Sequence, residues 1–124
     1  NAERIKRENL CAHAIEAAEQ CRGTFVPAVE ELTELGNLLN KWPDDRGILF
    51  CNEMLAGKKI ELPKKGIRKW AILIGPEGGF SVSEQTKLNN NKLIFPIDLG
   101  PRILRTDTAV VAAMSLWQKR FGDW

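Results

Sequence analysis

Ala71-Ile-Leu-Ile-Gly-Pro-Glu-Gly-Gly-Phe-Ser81 runs from an unbroken apolar stretch straight into a glycine-rich turn. A short apolar run bounded by a turn reads as a strand buried on both faces, the habit of parallel sheets. Glycines 75, 78 and 79 free the backbone for positive φ and for close approach of a flat ligand, while Pro76 stiffens the turn and removes one donor. Ser81-Val-Ser-Glu84 follows as a capping box and predicts a helix to about Leu88, ended by Asn89, Asn90 and Asn91. Leu93 to Ile97 predicts the next strand. Strand, turn, helix and strand are the repeating grammar of an α/β fold.

The rest of the chain extends that pattern outward. Upstream, Ile48 to Cys51 is another continuous apolar run of strand length. Before it, Ala2 to Cys21 shows helical spacing stopped by Gly23, Thr24 to Val26 predicts a short strand ended by Pro27, and Val29 to Trp42 predicts a second helix ended by Pro43. Asp44, Asp45 and Gly47 make a turn. Downstream, Thr106 or Thr108 is the expected cap of a terminal helix through Arg120. The expected class is therefore α/β, a mostly parallel sheet flanked by helices, in one domain over residues 1–124 without repeat or linker. Ligands in such sheets bind beyond the carboxyl ends of the strands.

Composition narrows the function classes. A chain of 124 residues with 44% hydrophobic and 27% charged residues is an ordinary globular composition, not a disordered or low-complexity one. Apolar runs such as Ala109 to Met114 are far short of the roughly 18 residues of a spanning helix, so no membrane partner is expected. Cys11, Cys21 and Cys51 form no CxxC pair and read as reduced thiols of a cytoplasmic protein. His13 is the single histidine and shares no helix face with Cys11, so no metal site is expected. Trp42, Trp70, Trp117 and Trp124 read as core or interface anchors rather than base-stacking platforms. A net charge of +2 announces no nucleic acid, but Lys58, Lys59, Lys64, Lys65, Arg68 and Lys69 against Glu61 concentrate positive charge in residues 58–69. That segment is either a solvated loop or a phosphate-contacting patch.

Two loops carry the candidate chemistry, each after the carboxyl end of a strand. In the first, Glu77 is either a solvated turn acid or an active-site carboxylate, and the glycines make either a plain tight turn or a ligand loop. Neither GxGxxG nor GxxxxGK[ST] occurs, so dinucleotide and P-loop readings lack direct support. The second loop, Leu99-Gly-Pro-Arg-Ile-Leu-Arg-Thr-Asp-Thr-Ala109, sets Arg102 and Arg105 around Ile103 and Leu104 just before a helix. That apolar pair either fills core beneath the helix or walls a ligand pocket.

These two stretches, with Glu16-Ala-Ala-Glu-Gln-Cys-Arg22 upstream and Arg120-Phe-Gly-Asp123 at the end, closely resemble the ribosomal RNA small-subunit methyltransferase E family of the SPOUT superfamily. The resemblance implies a homodimeric enzyme with a C-terminal trefoil knot. Its cofactor would be S-adenosylmethionine and its target N3 of a uridine in 16S rRNA of the small ribosomal subunit. Carried onto this chain, Gly75, Gly78 and Gly79, Leu99 and Gly100, and the Cys51-Asn52-Glu53 turn look like three cofactor-cradling loops. Ile74, Leu99, Ile103 and Leu104 would supply apolar walls. The family pattern commonly has Glu where this chain has Asp107, one methylene shorter in reach.

Uracil N3 must lose a proton, so Glu77, Asp107 or water is the expected base, and Arg105 and Arg102 are the expected stabilisers of charge on the ring. For Arg102 a phosphate contact or a salt bridge within the loop is an equal alternative. The terminal helix offers Val110, Val111, Ala113, Met114 and Trp117 as an apolar face expected to serve both core and dimer contact. The start at Asn1 reads as a fragment or processed product lacking the family's barrel-like RNA-binding domain. Cofactor binding is then expected to survive and specific RNA turnover is not. Two rival classes are a nucleotide-binding α/β enzyme using the glycine loop for phosphate, and a non-catalytic RNA-binding or dimerisation module.

Overall fold

The computed structural model describes residues 6–52 and 66–124, and the chain divides into two compact units between Glu34 and Leu35. The first unit holds helix α1, Arg7–Gln20, which closes with paired bonds from the Arg22 and Gly23 N–H groups to the Glu19 and Ala18 carbonyls. This is a Schellman ending in which Arg22, at φ 54°, takes the left-handed position. Gly23 stops the helix as expected but is not its left-handed residue.

No strand forms at Thr24 to Val26, and the helix expected from Val29 to Trp42 is reduced to α2, Leu35–Asn40. The cause lies within the first unit. Arg7 Nε donates to the Val29 carbonyl at 2.6 Å, and its guanidinium pairs with Glu31 at 3.2 Å. A carbonyl tied to an arginine is drawn away from a helical partner four residues on, and a three-residue run without a ladder partner makes no strand.

Among its described residues the second unit is built on three parallel strands, β1 (Arg46–Cys51), β2 (Lys69–Ile74) and β3 (Ile94–Ile97), in the order β2-β1-β3. Leu49 stands between Ile72 and Phe95 in register, and Phe50 between Leu73 and Pro96. Pro96 sits on an edge strand of the described sheet, the position where a missing N–H is tolerated. Strand alternation sorts the side chains onto two faces. Ile48, Phe50 and Ile94 pack with Leu88 of α3 (Val82–Asn89) and with Leu35 and Leu39 of α2. Leu49 and Ile97 pack with Ala113 and Trp117 of α4 (Thr106–Phe121).

A parallel sheet between helical layers is the expected class. Trp42, Trp70 and Trp117 join the two clusters, with Trp70 stacked on Phe121 at 4.9 Å, whereas Trp124 is 71% exposed and anchors no core. The expected capping box is present at Ser81 and Glu84. The expected threonine caps of α4 are not. Arg105 occupies the N-cap without a side-chain bond, and Asp107 Oδ1 accepts instead from the Thr108 N–H at 2.8 Å.

Candidate active site

The carboxyl ends of all three strands open on one cavity of about 430 Å³. β1 delivers Cys51 and Asn52, with the Asn52 N–H continuing the ladder to the Ile97 carbonyl at 3.3 Å. Burial pushes the Cys51 thiol up to about 11, so it is protonated at neutral pH and serves as apolar wall rather than nucleophile.

From β2 the chain turns through Gly75 to Phe80. The Gly79 N–H donates to the Pro76 carbonyl at 2.9 Å, and Gly79 takes φ 74°. Phe80 folds back so tightly that a Cβ at Gly75 would lie 2.7 Å from its ring. The same ring meets Phe50 edge-on at 5.3 Å, which fixes this wall of the cavity to the core.

From β3 the chain enters a turn in which Asp98 Oδ1 accepts from the Gly100 N–H at 2.9 Å, with Gly100 at φ 110°. That conformation favours glycine. Leu99 reaches the cluster beneath α4, so it is core on one side and cavity wall on the other. Ile103 is 78% exposed at the loop, and Leu104 is half-buried.

Of the residues singled out from sequence, Cys51, Asn52, Ile74, Gly75, Gly78 and Gly79 all line this cavity. Leu99, Gly100, Ile103 and Leu104 join them, with Glu77, Arg102 and Arg105. Asp107 does not; it stands in the first turn of α4, 3.9 Å from Arg105 Nε. Glu53 and Lys58, Lys59, Lys64 and Lys65 lie outside the described residues. Lys69 of the basic segment pairs with Asp45 at 3.1 Å, which holds the Asp45 carboxyl below its usual range. Among the described residues no group of histidine, cysteine and carboxylate side chains could hold a metal ion.

Phe50, Phe80, Gln85, Ile97 and Asp98 also line the cavity, and the sequence reading passed over them as site residues. Asp98 had a signal in its place directly after the last strand. Gln85 had none, because its role depends on how α3 stands against the loop. The arrangement is a mouth carrying Glu77, Arg102 and Arg105 above walls of glycine backbone and aliphatic side chains, within the size range of small-molecule sites.

The profile of an RNA methyltransferase domain matches residues 1–118. The chain is 36% identical over 120 residues to the ribosomal RNA small subunit methyltransferase E of Buchnera aphidicola subsp. Schizaphis graminum (strain Sg), covering 97% of this chain and 47% of that protein. With the protein of the same name from Bacillus subtilis (strain 168) it shares 34% over 119 residues, covering 89% of this chain and 45% of that one. Among solved structures, a ribosomal RNA small subunit methyltransferase E from Neisseria gonorrhoeae bound to S-adenosyl methionine matches with TM-score 0.82 at 27% identity, covering 97% of this chain and 52% of that one. A putative methyltransferase from Legionella pneumophila in complex with SAM matches with TM-score 0.73 at 26% identity, covering 91% and 46%. The chain spans about half the length of the curated relatives it matches.

Proposed function

The chain belongs to the RNA methyltransferase domain family, and from that premise we propose that its cavity binds S-adenosylmethionine for methyl transfer to N3 of a uridine in 16S rRNA. The observation that carries the reading is the convergence of three strand ends on one apolar-walled, glycine-lined cavity. The residues fit the group. A nucleoside carrying an aliphatic sulfonium arm needs apolar walls for its ring and main-chain groups for its polar edge. Cys51, Ile74, Leu99, Ile103 and Leu104 supply the first, and Asn52, Gly75, Gly78, Gly79 and Gly100 bring main chain to the lining.

When bound, the cofactor supplies an electrophilic methyl group. The chain's own residues then act mainly by positioning, since an in-line transfer gains most from holding the reacting atoms at near-attack distance. Glu77 at the mouth takes the N3 proton, directly or through water. Arg105, assisted by Arg102, stabilises the negative charge that develops on the uracil carbonyl oxygens. Asp107 is given the role of orienting Arg105 from the first helical turn, because its carboxylate lies outside the cavity lining.

The proposal extends to one methyltransferase domain over residues 1–124, supported by a profile match over residues 1–118. It also extends to the SPOUT topology with its C-terminal knot, supported by the family resemblance of the two loop motifs. Homodimerisation is proposed through α4, whose Val111 and Met114 are 66% and 53% exposed. A cytoplasmic location is proposed together with the ribosomal RNA target.

The test is incubation of this chain, carried on the further length that its curated relatives have, with methyl-labelled S-adenosylmethionine and small ribosomal subunits, followed by nucleoside analysis. Label in 3-methyluridine is the expected result. Cofactor binding with no label in any RNA would favour the non-catalytic binding module instead.

A further inference from the structure

Gln85 stands one turn beyond Ser81 on α3, and its side chain reaches the cavity. Its Nε2 donates to the Phe80 carbonyl at 3.0 Å, while its backbone N–H donates to the Ser81 carbonyl at 2.9 Å. The helix start beneath it is fixed independently: the Ser81 N–H donates to Glu84 Oε2 at 2.8 Å, and the Glu84 N–H donates to Ser81 Oγ at 3.2 Å. Phe80 is therefore the joint between a rigid helix start and a loop containing three glycines. Its ring is held by Gly75 and Phe50, and its carbonyl is held by Gln85. A glycine-rich loop has many accessible backbone states, and each tie that removes some of them spares the ligand that cost on binding.

We propose that Gln85 is a positioning residue of the cavity: its side-chain amide clamps the Phe80 carbonyl and so holds the Gly75–Phe80 loop in its ligand-receiving shape. The affinity part of this inference rests on S-adenosylmethionine being the ligand; the clamp itself can be read without any ligand. The donor assignment follows from chemistry, because a carbonyl only accepts and the amide nitrogen must face it. Gln85→Leu removes the donor while keeping the bulk. Gln85→Glu sets a carboxylate against the carbonyl when ionised and restores an O–H donor when protonated.

Two readouts on the whole chain test it: amide hydrogen exchange at Gly79 without ligand, and calorimetric affinity for S-adenosylmethionine. Gln85→Leu is expected to speed Gly79 exchange and weaken affinity, each about fivefold, the worth of one neutral hydrogen bond. Gln85→Glu is expected to match Gln85→Leu at about pH 8 and to return towards wild type at about pH 4, near the ordinary carboxyl range. The other charged groups around the loop, Glu77, Glu84, Asp98, Arg102 and Arg105, are common to all variants, so each is compared with wild type at the same pH. A uniformly loosened fold would give no such pH split.

Unchanged Gly79 exchange in Gln85→Leu overturns the clamp. Faster exchange with unchanged affinity overturns the positioning role. Faster exchange in a protein whose wild type binds no S-adenosylmethionine upholds the clamp and defeats the cofactor reading instead.

Discussion

Gly75 is where a single atom decides the shape of the site. A Cβ there would press to 2.7 Å from the Phe80 ring, whereas one at Gly78 would meet nothing within 4 Å. Gly75→Ala is expected to destabilise by about 1–3 kcal/mol through overpacking, seen as a lower thermal midpoint, while Gly78→Ala leaves the midpoint unchanged. Cys51 gives a second residue-scale expectation. Burial raises its thiol from 9.0 to about 11, so above pH 9 the unfolded chain ionises first and the folded state loses ground until about pH 11. Wild-type stability should fall across that window, and Cys51→Ala should remove that part of the slope in denaturant titrations. Arg105 is 83% exposed in its side chain, so its removal leaves the fold alone. Arg105→Ala is expected to lower turnover about 10²-fold, on the scale of losing one transition-state donor, with cofactor affinity nearly unchanged. Equal losses in both would remove the assigned role.

At the scale of elements, short-range signals were readable and long-range ones were not. Ser81 and Glu84 bond each other three residues apart, so the start of α3 was legible from the sequence. Ser81→Ala should cost about 1 kcal/mol in thermal or denaturant unfolding, and a smaller loss would mean water replaces the cap at no cost. By contrast, the helix expected from Val29 failed because Arg7, 22 residues upstream, holds its carbonyl. No window of periodicity contains that contact. The α1 ending shows the same limit in milder form, since Gly23 marked the stop correctly while Arg22 carries the left-handed backbone. Arg22→Gly is expected to stabilise α1 by about 1 kcal/mol, the usual penalty of that conformation for a side chain. An unchanged thermal midpoint would show that the Schellman ending has little weight. Threonine near the start of α4 resembled a cap, yet the cap position falls on Arg105 and Thr106 is already the first helical residue.

For the whole molecule, a parallel α/β class with glycine-bearing loops at strand ends was legible because continuous apolar runs and glycine turns are local marks. The order β2-β1-β3 was not, since nothing in the spacing of Ile48, Ala71 and Ile94 says that the first strand lies in the middle. That order brings the ends of β1, β2 and β3 to a common cavity and turns separate motifs into one site. It also explains why Phe50 and Phe80, apolar residues on different elements, became cavity walls that the sequence alone did not nominate. On the proposed function this cavity is a sulfonium-nucleoside site rather than a phosphate site. Calorimetric titration of the chain with S-adenosylmethionine and, separately, with ATP tests it most directly. Saturable binding of the first and none of the second is the predicted result; a folded chain that binds ATP, or that binds neither, would contradict it.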